Sequence, residues 1–299
     1  MQTNMLVRFF ATVSFLIVAS LQAQSASITI DLVTTFVYPQ TGVQTHPQKI
    51  NTGGDIAGEI ILSTGETRGF VRLRNGSFSS PIIDPNEDGF LTDVRAINDS
   101  RLIAGYYILS SLAHGFFLSG NTYTDFNIPD ALNTYIDCLN NAGDVAGSVD
   151  FISGNQGYIN VDGNVTLFAP PGAVTVGSFG INNLNQIAGD YVDTSSLTHG
   201  FFRNSDGTFI APIDYPGSTQ TILFGINDKG WMVGRYVDLS GVTHGLFMVL
   251  PGRFVTYDFP DSTFTSLNGI NNQGIICGRY LDSAGVEHGL IARARKTTD

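Results

Sequence analysis

The chain has 299 residues, with 26 acidic against 15 basic side chains, a formal net charge of −11 and a charged fraction of 14%, against about 25% in average domains. A nucleic-acid ligand is excluded: phosphate contacts need a basic face, and the one dense basic cluster is Arg293, Arg295 and Lys296 at the chain end. The 34 glycines suit many short strands joined by tight turns.

In chain order, Arg8, an apolar run from Phe9 to Leu21 and the small-residue site Ala23-Gln24-Ser25 predict a secretory signal peptide over residues 1–25. No second apolar stretch approaches the roughly 20 residues of a spanning helix. The expectation is a secreted or periplasmic monomer without membrane insertion, folded as one domain over 26–299. Residues 34–39, "TTFVYP", form a lone strand pattern ahead of the first of six tandem units, which begin near 50, 97, 139, 181, 226 and 270. An Asn opens a turn in each unit: Asn51, Asn98, Asn140, Asn182, Asn227 and Asn271. Seven residues later comes a Gly: Gly58, Gly105, Gly147, Gly189, Gly234 and Gly278.

Each unit reads as four strands, here called a to d. In the fifth they are "TILFGIN", "WMVGRYVD", "THGLFMVL" and "RFVTYDFP", with hairpin turns between them. Four antiparallel strands in some 44 residues make one propeller blade. The sixth unit stops after strand c, at "HGLIARA", and 34–39 matches its missing strand d. The fold expected is therefore an all-β, six-bladed β-propeller of four-stranded antiparallel blades, closed by the N-terminal strand completing the last blade. Small residues at Ala96, Cys138, Gly180, Gly225 and Gly269 put strand a innermost, with Lys49 departing from the pattern. Cys138 and Cys277 then fall on opposite sides of the ring, too far apart for a disulfide, and are expected as buried free thiols.

Units such as "GINDKGWMVGRYVDLSGVTHG" (225–245), "GINNQGIICGRYLDSAGVEHG" (269–289) and "GINNLNQIAGDYVDTSSLTHGFF" (180–202) resemble the HAF-type extracellular repeat proteins of bacteria. The resemblance spans essentially residues 34–291, and units one and three depart from it with "RGFV" and "QGYI". It implies an exported repeat scaffold and carries no general catalytic activity.

His114, His199, His244 and His288 share one position on strand c of different units, so they cannot converge on one zinc ion. The pairs Asp193 with His199, Asp238 with His244, and Asp282 with His288 bracket the b–c hairpin and are read as a structural device fixing that turn. "DPNEDGFLTD" interrupts the repeat and offers Asp84, Glu87, Asp88 and Asp93 as a calcium candidate; no other cofactor is expected. Positions shared by all units hold the fold, so a ligand surface belongs where units differ. Glu59, Tyr106, Asp190, Arg235 and Arg279, which follow the strand-b Gly, together with Trp231, are the ligand-binding candidates; the bland reading is ion pairing between units, such as Asp190 with Arg235. No nucleophile elbow, zinc-protease helix or phosphate loop is present. The function expected is non-enzymatic binding of an extracellular protein or glycan through a propeller face. The alternative is a propeller hydrolase or lyase with a calcium or carboxylate centre near the central channel.

Overall fold

The computed structural model describes residues 27–249 and 252–297; the expected signal peptide lies outside them. These residues form twenty-three strands, and among them no helix is long and apolar enough to cross a membrane. After β1 (Ser27–Phe36), the first unit holds β2 (Gln44–Ile50), β3 (Ile56–Ile61) and β4 (Thr67–Arg72). The second holds β5 (Thr92–Ile97), β6 (Ile103–Leu109), β7 (Leu112–Ser119) and β8 (Thr122–Phe126). The third holds β9 (Asn133–Leu139), β10 (Val145–Phe151), β11 (Gly154–Val161) and β12 (Asn164–Phe168). Then follow β13 (Ala173–Ile181), β14 (Ile187–Asp193), β15 (Thr198–Arg203) and β16 (Phe209–Ile213). The fifth has β17 (Gln220–Ile226), β18 (Trp231–Val237), β19 (Thr243–Val249) and β20 (Arg253–Tyr257), and the sixth β21 (Phe264–Ile270), β22 (Ile275–Leu281) and β23 (Glu287–Thr297).

Within each unit the strands pair antiparallel in chain order. Units four to six, with β1, join into one mixed, open twelve-stranded sheet through single parallel pairs, Thr198 with Gln220 and Thr243 with Phe264. Two details differ from the expected pattern. β1 begins at Ser27 rather than Thr34, because β23 runs on to Thr297 and gives it a longer partner; one register shift falls between Leu32 and Thr34. The first unit has no full fourth strand, only bridges from Gly69 to Ile82 and Arg72 to Phe78, since the inserted acidic loop follows at once.

Alternate strand residues face opposite neighbours, as a pleated sheet covered on both sides requires. Met232 packs with Leu223 and Leu246 between units four and five, while adjacent Val233 packs with Leu267 and Ile276 between units five and six. Ile50 and Ile56 of the first unit pack on Cys277 of the sixth. Both cysteines are buried and free.

The repeated asparagine has two jobs. Its Oδ1 accepts backbone N–H groups of its own turn, as Asn227 does from Lys229 (3.0 Å) and Trp231 (3.1 Å). Its Nδ2 donates to the backbone carbonyl of the next unit's asparagine: Asn51 to Asn98, Asn98 to Asn140, Asn140 to Asn182, Asn182 to Asn227, Asn227 to Asn271, and Asn271 back to Asn51. Aspartate could cap the turn but has no donor for the second bond. The repeated strand-b glycine is equally constrained: a Cβ on Gly58, Gly105, Gly147, Gly189, Gly234 or Gly278 would overlap a carbonyl oxygen of the adjacent innermost strand.

Candidate functional site

All six innermost strands carry a register shift just before their last two residues. A bulge leaves a residue unpaired and re-aims its side chain. The residues so released are Gln48, Arg95, Asp137, Phe179, Phe224 and Asn268, which differ in every unit but two. Beside them lie the residues following the strand-b glycine: Glu59, Tyr106, Ser148, Asp190, Arg235 and Arg279. On strands whose neighbouring positions are buried, Arg95, Tyr106, Tyr135, Phe179, Asp190, Phe224, Arg235 and Arg279 keep partial exposure. Gathered about these bulges, they form one cluster, the axial site.

Contacts run from unit to unit around this site. Arg235 lies 5.5 Å from the Phe224 ring and 5.7 Å from Phe264, and Arg279 lies 5.2 Å from the same Phe264. Arg279 Nη1 donates to Glu287 at 2.7 Å, and Glu287 also receives His46 Nε2 at 2.9 Å. His46 Nδ1 reaches Glu59 at 3.1 Å, and Gln48 Nε2 donates to both Glu59 oxygens. Arg95 sits 3.5 Å from Asp93 on one side and 3.5 Å from Asp137 on the other. Tyr106 meets Tyr135 edge-on at 4.9 Å, and Phe179 meets Phe224 at 5.4 Å.

Burial shapes the charges. It would depress the His46 imidazole, but Glu287 and Glu59 outweigh it and raise the pKa to about 9. Burial would raise Glu59, yet its contact with His46 holds it at about 2. Asp93 is pushed well up by burial and then by the Glu59 charge. Asp190 rises to about 7, burial outweighing the attraction of Arg235. Lys49 is lowered to about 8 by burial and by Arg95. The basic groups His46, Lys49, Arg95, Arg235 and Arg279 thus share the site with the carboxylates Glu59, Asp93, Asp137, Asp190 and Glu287. Aromatic walls around a few fixed charges suit an amphipathic ligand, whose apolar face covers the rings while its polar groups meet the charges.

The six sequence candidates divide accordingly. Glu59, Tyr106, Asp190, Arg235 and Arg279 are brought together here. Trp231 is not: it lies buried at the asparagine-turn end, edge-on to Phe247 at 5.5 Å with Lys229 over its ring. Asp190 and Arg235 form no ion pair within 4.0 Å, and Arg235 stacks on phenylalanines instead. The bulged residues of the innermost strand escaped the sequence reading. Their signal is the variable position just before each small residue, which reads Gln, Arg, Asp, Phe, Phe, Asn through the units.

Two of the three histidine pairs gain a third member. His199 Nε2 lies 3.5 Å from Asp193, and its Nδ1 lies 2.8 Å from Asp214. His244 sits 3.4 Å from Asp238 and 2.9 Å from Asp258, and His288 sits 2.9 Å from Asp282. The other oxygen of Asp193, Asp238 and Asp282 caps its own turn, accepting two backbone N–H groups. Each ring also packs on the strand-b tyrosine: Tyr191, Tyr236 or Tyr280. Arg68 replaces the histidine in unit one and is held the same way, between Glu66 at 2.9 Å and Glu87 at 2.8 Å. The inserted loop therefore supplies Glu87 where units four and five use a strand-d aspartate.

The acidic loop does not gather its carboxylates. Glu87 pairs with Arg68 and accepts Thr92, Asp88 caps Ser110, Asp84 caps Asn86, and Asp93 belongs to the axial cluster. Among the described residues, no three His, Cys, Asp or Glu side chains are grouped to hold a metal ion.

No protein-family model matches the chain, and no curated protein matches it. Solved structures do. TolB from Acinetobacter baumannii superposes with a TM-score of 0.52 at 9% identity, over 87% of this chain and 67% of that one. Aleuria aurantia lectin gives 0.52 at 10% identity, over 87% and 93%. The β-propeller domain of the Trilobed protease from Pyrococcus furiosus gives 0.49 at 10% identity, over 86% and 98%. At such identities the likeness is one of fold alone: this is an all-β chain of the propeller kind.

Proposed function

We propose that this protein is an exported, non-enzymatic scaffold of the HAF-type repeat class, a six-bladed ring closed by its N-terminal strand, which binds an extracellular glycan through the axial site. The pairing of β1 with β23 and the return of the asparagine cycle from Asn271 to Asn51 support the ring. One observation carries the functional reading: residues that vary among otherwise repeated units gather in one cluster, half-exposed, as aromatic rings interleaved with charges. A sugar presents an apolar C–H face and a rim of hydroxyl groups, and such a surface matches both halves of it. The lectin from Aleuria aurantia has the same kind of fold.

The test is a glycan array probed with the mature chain, followed by calorimetry on the hits. Substituting Phe224→Ala or Arg235→Ala should weaken binding at least about tenfold, the scale of 1.4 kcal/mol, with little change in melting temperature. Glycan binding that survives both substitutions, or an array without hits, overturns the assignment.

A further inference from the structure

A second site lies where the first and sixth units meet. It is a cavity of about 400 Å³ between the turns at Thr52–Gly54 and Asn271–Gln273, walled by Ile275 and Ile291, and its volume lies within the range of small-molecule sites. Arg72, Arg74 and Arg293 line it, and no acidic residue does. Among the described residues none of the three forms an ion pair within 4.0 Å. Arg72 is held over the Phe36 ring at 4.7 Å with Nη1 donating to Leu73 O at 3.4 Å and Nε unpartnered, as the equivalent Arg203 of unit four is held over Phe168; Arg74 and Arg293 have no such counterpart. Three unpaired guanidiniums around one recess repel one another unless an anion joins them.

The repeat supplies its own control. The equivalent recess between units four and five has a similar volume, about 390 Å³, and is lined by Asn204 where unit six has Arg293 and by Asp228 and Lys229 where unit one has Thr52 and Gly53. Recesses of this size therefore come with the architecture, whereas the arginine trio belongs to one seam alone and is not required by the fold.

We propose that the seam between units one and six is a binding site for a sugar-sized organic anion, its carboxylate, phosphate or sulfate held by Arg72, Arg74 and Arg293 and its apolar face against Ile275 and Ile291. The site is separate from the axial one, so either can fail alone.

Calorimetric titration of the mature chain with glucuronate, glucose 6-phosphate and glucose 6-sulfate tests it, with glucose as the neutral control. At least one anion should bind, more weakly as salt rises, while glucose does not. Arg74 and Arg293 are exposed, so the double variant Arg74→Ala/Arg293→Ala should fold normally and lose affinity by at least about tenfold. The arm that binds identifies the anionic group. Failure of all three anions, equal binding of glucose, or unchanged affinity in the folded double variant would overturn the proposal.

Discussion

Asn227 gives the sharpest test of how the units are held together. Its side chain is almost fully buried, at 3% exposure, and makes three hydrogen bonds: two received from its own turn and one donated to Asn271 O at 3.0 Å. Replacement by Ala strands the buried Trp231 N–H and removes one of the two bonds to the Asn271 carbonyl, which keeps the Gly274 N–H at 3.0 Å, whereas the Lys229 N–H can turn to water. At about 2 kcal/mol for the stranded donor and about 1 kcal/mol for the lost bond, the loss should be about 3 kcal/mol. At roughly 2 °C per kcal/mol for a domain of this size, the melting temperature should fall by about 6 °C. Asn227→Asp separates the two roles. It keeps the acceptor that caps the turn, removes the donor to the next unit and sets a carboxylate oxygen against the Asn271 carbonyl, so about 2 kcal/mol should still be lost. Urea denaturation of both variants is the assay. If Asn227→Asp matches the parent protein, the bond between units contributes nothing and the asparagine serves its own turn only.

Two further outcomes follow from the same geometry. Gly234→Ala puts a methyl in overlap with the Ile222 carbonyl oxygen, which is backbone and cannot swing aside, so urea titration should show a loss of about 3 kcal/mol or more. Gly241→Ala faces open space at φ +82° and should cost only about 1 kcal/mol. As to pH, His46 has a folded pKa raised from 6.5 to about 9, so its stabilisation is complete below 6.5 and is lost as pH rises through 9. Lys49, lowered to about 8, works the other way only above that value. Asp190, held at about 7, adds to this slope only below that value, so between pH 7 and 8 stability should fall by roughly 1.4 kcal/mol per unit, and His46→Gln should flatten that slope; an unchanged slope would mean that His46 is not the titrating group.

Much of the architecture was legible because it is written in local, repeated signals. Strand alternation, the Asn-Gly turns and the paired glycines recur at fixed offsets, and strands b and c of unit five fall where the pattern puts them, at Trp231–Val237 and Thr243–Val249. The Asp–His spacing was legible for the same reason, since a hairpin brings residues six apart face to face. Asp214 and Asp258 went unnoticed because they lie on the neighbouring strand d, 15 and 14 residues from their histidines.

The axial site is a different matter. A repeat pattern states what the units share, and this site consists of what they do not share. Its key contacts link His46 to Arg279 and Glu287, more than two hundred residues apart, and no local periodicity encodes such a meeting. Nor does sequence alone show that a bulge turns Arg95, Phe179 and Phe224 inward, or that Trp231 is buried at the far end. Sequence determined the units, their strands and their turns, because those depend on neighbours along the chain. Tertiary structure decided which variable side chains share the axis and which arginines share the seam, because packing the units side by side sets those distances.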